Sequence, residues 1–71
     1  MENSDAFKKL SIHEFHSYVM RSYEVGIIDE RMMKYKLDNV NTFTNNRDEI
    51  YIHASDIVNL EIHEQEFRNS N

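Results

Sequence analysis

An α+β fold, with an N-terminal two-helix hairpin packed on a two- or three-stranded antiparallel sheet, is predicted by three features of the chain. A capped amphipathic segment ends at Gly26, a second capped segment follows Asp29, and Glu49 to Phe67 (EIYIHASDIVNLEIHEQEF) alternates apolar with polar residues. Runs of helical periodicity followed by runs of period two make that class. The chain reads as one small domain over residues 1–71 with an ordered core at about 6–67.

In chain order, Ala6, Phe7 and Leu10 read as a short turn of helix. Ser11-Ile12-His13-Glu14 then fits a capping box, with Leu10 and Phe15 placed as a hydrophobic staple. Ile12, Phe15, Val19 and Tyr23 follow one helical face, and Gly26 supplies a stop that tolerates positive φ, so Ile12 to Val25 is predicted helical. Asp29 is the expected N-cap of a second helix to about Asp38, with Met32, Met33, Tyr35 and Leu37 on a broad apolar face.

Val40 to Thr44 alternates and reads as a first strand or else a loop, and Asn45 to Asp48 as a turn. Within the long alternating stretch, a turn at Ser55-Asp56 would put Ile50, Ile52, Ala54, Val58, Leu60 and Ile62 on one face of a hairpin. The opposite face would carry Glu49, Tyr51, His53, Asn59, Glu61, His63 and Gln65. A strand at Val40 to Thr44 would turn the hairpin into a meander.

Composition narrows the chemistry. A chain of 71 residues buries little surface and needs extra stabilisation. With no Cys, disulfides and thiolate chemistry are excluded. Self-association as a homodimer is then one expected source of stability. Neither a membrane-length apolar run nor a signal peptide is apparent, so a cytoplasmic protein is expected.

The net charge of −5 is uneven: residues 1–44 hold seven acids against six bases, and residues 45–71 hold six acids against Arg47 and Arg68. Nucleic-acid binding by the acidic part would oppose its own field, so a basic protein partner is the better match.

Catalytic and metal-binding patterns are weak. His13 and His16 are three apart, whereas zinc-protease helices carry His residues four apart plus a third ligand. Glu14 between them is already engaged by the cap. His53, His63, Glu49 and Glu61 on one polar sheet face would suit acid-base work, but equally ordinary solvated neighbours. No phosphate-binding Gly-rich loop or nucleophile turn is present, so neither an enzyme nor a cofactor is expected. Met20, Met32, Met33 and the tyrosines read chiefly as core, with Met33 and Tyr35 partly exposed.

The acidic run gives the sharper hypothesis. In an extended strand Glu64 and Glu66 would be about 7 Å apart, comparable to phosphates along a DNA strand. A hairpin edged by Glu49, Asp56, Glu61, Glu64 and Glu66 would then imitate a phosphate row. The plain alternative is a solvated face whose charges keep an edge strand from aggregating.

Two resemblances bear on this reading. Tyr23-Glu24-Val25-Gly26-Ile27-Ile28-Asp29-Glu30 resembles the helix-Gly-Ile-Ile-cap-helix joint of short bacterial two-helix modules of the SHOCT type, over about a dozen residues; it implies the turn geometry and no function. In size, lack of Cys, scarcity of Gly and Pro, Asn-rich texture and acidic strand region, the whole chain resembles small host-takeover proteins of phages of Gram-positive bacteria. Those include DNA mimics that inhibit the histone-like nucleoid protein HU. The resemblance implies an inhibitor that reaches the nucleoid only through its partner; the residues expected to bind, Glu49, Asp56, Glu61, Glu64 and Glu66, come from the acidic run itself. The second functional expectation is a regulatory adaptor or antitoxin-like protein docking through an apolar helix face with Met33 and Tyr35.

Overall fold

A computed structural model describes residues 6–70. The element order is β1 (Phe7–Ser11), α1 (Ile12–Glu24), α2 (Glu30–Asp38), α3 (Val40–Phe43), β2 (Glu49–His53) and α4 (Ala54–Asn69). The class is α+β, and its sheet is a single antiparallel pair, β1 against β2, in the register Phe7↔His53, Lys9↔Tyr51 and Ser11↔Glu49.

The two central helices begin where their caps require. The Ser11 hydroxyl accepts from the Glu14 amide at 3.1 Å, and the Glu14 carboxylate accepts from the Ser11 amide at 2.8 Å. Two orphan donors at the start of α1 are thereby satisfied. At the far end Gly26 sits at φ +84°, a conformation that is cheap only without a side chain. The chain then passes through Ile27 and Ile28 to Asp29, whose carboxylate accepts from the Met32 amide at 2.8 Å and caps α2. The order helix, Gly26, Ile27-Ile28, Asp29 cap and helix is the one expected from the sequence.

Phe15, Val19 and Ile50 form the buried cluster, with Leu10, Tyr18, Ile28, Met33, Leu37, Val40 and Ile52 packed around it half-buried. Strand alternation explains the sheet's part: Leu10, Ile50 and Ile52 share one face, while Phe7, Lys9, Tyr51 and His53 lie on the other, exposed. On that outer face the Phe7 and His53 rings lie 4.6 Å apart, and Lys9 meets Glu49 at 3.4 Å.

Four expectations are corrected. Phe7 to Ser11 is a strand rather than a turn of helix, because it pairs along its whole length with β2. Val40–Phe43 is a short helical turn rather than a strand, so no meander forms among the described residues; Thr44 returns its hydroxyl to the Val40 carbonyl. The expected hairpin is absent. Glu49–His53 is a strand as predicted, but Ala54–Asn69 continues from it as a helix of 16 residues. A strand also precedes the two helices, so the architecture does not begin with a helical hairpin.

Candidate functional site

The acidic residues nominated from the sequence lie on β2 and α4, and the change from strand to helix rearranges them. A helix turns about 100° per residue, so Asp56, Glu61, Glu64 and Glu66 point in different directions around α4 and the strand-like phosphate row does not form. His53 stays on β2 while His63 lies on α4, so the shared polar face expected for His53, His63, Glu49 and Glu61 does not form either.

Two of the five acids are already engaged within the chain. Glu49 accepts from the Asn45 side-chain amide at 3.2 Å and pairs with Lys9 at 3.4 Å. The Asn45 hydrogen bond, followed by the Lys9 charge, holds its carboxyl below the ordinary carboxylate range. Asn45 also uses its side-chain oxygen Oδ1 to accept from the Arg47 and Glu49 amides, closing the turn in which Asp48 takes a positive φ of 59°.

Glu64 is held more firmly. The Arg21 guanidinium donates twice to its carboxylate, Nε to Oε2 and Nη2 to Oε1, each at 2.7 Å. This bidentate pair joins the last turns of α1 to the C-terminal half of α4, and these hydrogen bonds lower the Glu64 carboxyl and raise the Arg21 guanidinium. No local pattern points to this pair, since its partners stand 43 positions apart. Buried Leu60 and half-buried Ile57 and His63 complete the inward side of α4.

Asp56, Glu61 and Glu66 remain exposed, and among the described residues their carboxylates close no ion pair and accept no hydrogen bond. Asp56 lies towards Tyr18, whose hydroxyl is shifted upward by burial first and by the Asp56 charge second. Glu61 adds its field to that of Glu64 at Arg21. With Asp56 in its first turn and Arg68 in its last, α4 has charges that complement the helix dipole.

Other surfaces differ in character. An open cleft of about 260 Å³ has Phe15 and Ile50 at its base and Phe7, Phe43, Tyr51 and His53 among its walls. Another, of about 520 Å³, is lined by Asp29, Arg31, Met32 and Tyr35. Of the apolar helix residues nominated for docking, Tyr35 is exposed but Met33 is half-buried against the core; Met32 takes the outward place. His13 and His16 are exposed, and among the described residues no three His, Asp or Glu side chains are grouped to hold a metal. No described helix is long and apolar enough to cross a membrane.

Comparison with known proteins found no matching family model, no matching curated protein and no matching solved structure.

Proposed function

We propose that this protein is a non-enzymatic inhibitor that binds a basic DNA-binding protein, with histone-like HU as the named candidate, and blocks its binding to DNA through an acidic surface. The carrying observation is the concentration of unneutralised acid on one helix: Asp56, Glu61 and Glu66 are exposed on α4 without an ion-pair partner among the described residues. A basic groove that normally holds phosphates would gain by exchanging its counterions for such a rod. In this reading Glu49 and Glu64 support the surface rather than touch the partner, and the α1–Gly26–α2 pair serves as the scaffold behind the sheet. The protein would act in the cytoplasm of a bacterial host and reach the nucleoid through its partner.

The test is titration of purified HU with this protein, by calorimetry and by displacement of labelled DNA, across a salt series. The expected result is displacement that weakens steeply with salt, and at least about a tenfold loss of affinity in the triple variant D56N/E61Q/E66Q. Glu64 is left intact because it secures the helix. An unchanged affinity in that variant would remove the acidic-surface reading.

A second reading, a regulatory adaptor docking through an apolar helix face, has its own observation: Met32 and Tyr35 are 43% and 53% exposed beside the same shallow cleft. Its binding would resist salt and fail on Tyr35→Ala.

A further inference from the structure

The outward side of α4 carries a stripe at alternating spacings of three and four: Ser55, Val58, Ile62, Gln65 and Asn69, all exposed. Each is uncharged, although the same helix holds four acids and Arg68. Val58 and Ile62 at its centre are 52% and 51% exposed, while Leu60 on the inward side is 1% exposed. A helix that is apolar on opposite sides calls for cover on both, and the body of the protein covers one.

A second cover would add burial to a chain that is short of it by itself. Phe15, Val19, Ile50 and Leu60 are its buried apolar side chains among the described residues, against eleven large exposed ones. Between Cα atoms its thinnest dimension is 15 Å, about that of two packed layers. An uncharged stripe is what two equally acidic copies need in order to approach, whereas a basic partner would be met by the charged sides of α4.

From these observations we infer that the protein is a homodimer in which the α4 helices of two copies pack antiparallel through the stripe centred on Val58 and Ile62. A two-fold axis passing level with Leu60 sets each Ile62 against Val58 of the second copy and Ser55 against Gln65. The apolar contact lies at the middle of the interface and the polar residues at its ends. The two helices overlap over residues 54–66, about 20 Å long and about 10 Å wide, below the standard size of stable interfaces, so weak association with dissociation at ~10–100 µM is expected. Glu61 flanks the stripe on both copies, so added salt strengthens this dimer. That sign is opposite to the salt effect on the proposed partner complex, and the dimer does not depend on that proposal.

Sedimentation velocity over a concentration series tests the inference directly. The wild type should pass from monomer to dimer, with tighter association at higher salt, and Ile62→Glu should remain monomeric with an unchanged helical circular-dichroism spectrum. Should Ile62→Glu lose its fold, cysteine pairing supplies the answer, since the chain has no cysteine of its own. A mixture of V58C and I62C chains should form crosslinked dimers several-fold faster than chains carrying Asp48→Cys. A wild type that stays monomeric throughout, a dimer untouched by Ile62→Glu, or crosslinking no faster than the Asp48→Cys control would each overturn the inference. A monomer that still displaces DNA from HU refutes this inference alone, and a dimer that leaves HU untouched refutes only the proposed function.

Discussion

Replacing Glu64 by Gln tests whether α4 is held to α1 by the guanidinium of Arg21. The wild-type pair makes two parallel 2.7 Å hydrogen bonds between opposite charges, a class worth about 1.5–3 kcal/mol when well shielded. The Arg21 side chain is 43% exposed and that of Glu64 19%, so solvent screening moves the figure towards the 0–1 kcal/mol typical of surface pairs. A loss of about 1–2 kcal/mol at pH 7 is the resulting expectation, or roughly 5–10 °C in Tm for a domain of this size.

The pH dependence carries the sharper signature. Arg21 lowers the folded-state pKa of Glu64 below its unfolded value. Its contribution is therefore complete above the ordinary carboxylate range and is lost as pH falls through the folded pKa. The stability difference between wild type and Glu64→Gln should be constant near neutrality and shrink below about pH 5. Glu14 and Glu49 are lowered as well and shed stability in acid, but they do so in both proteins and cancel in the difference. Urea unfolding followed by circular dichroism, at one fixed protein concentration, reads the quantity, and a cycle with Arg21→Met isolates the coupling. Equal stabilities at pH 7, or a difference that persists undiminished at low pH, would refute the anchoring role.

Two further substitutions probe the fold. Leu60→Ala should cost ~3 kcal/mol in urea unfolding, since Leu60 is 1% exposed and α4 would lose the side chain that seats it; a cost under about 1 kcal/mol would show that α4 is not seated there. Gly26→Ala should cost about 1 kcal/mol although nothing lies within 4 Å of the added methyl, because the residue sits at φ +84°. A neutral outcome in thermal melts would mean that the joint relaxes to a negative φ.

The parts legible in the sequence are those specified by adjacent residues. Ser11 with Glu14 starts α1, Gly26 lets it stop, and Asp29 starts α2, each through hydrogen bonds or dihedral freedom within a few positions. Strand β2 was legible from the alternation of Ile50 and Ile52. Its partner was not, since β1 places Lys8 on the same side as Leu10 and so shows no clean apolar face. Of the nominated acids, the sequence identified the region but not which carboxylates were taken. Lys9 and Arg21 reach Glu49 and Glu64 across large separations in the chain, and only the folded arrangement reveals those pairings.

The misreading of α4 has a physical cause that bears on the assembly. Val58, Leu60 and Ile62 alternate as a strand would, yet Leu, Glu and Gln over residues 57–66 favour helix, with Asp56 in the first turn. Local preference and apolar period disagree, and the helix prevails. In a helix such alternation does not collect apolar residues on one side: it sends Leu60 inward and Val58 and Ile62 outward. A monomer gains nothing from the outward pair, which costs solubility and invites aggregation. Against a second α4 the same pair becomes the centre of a contact, and the disagreement between propensity and period becomes intelligible as the pattern of a helix buried from two sides.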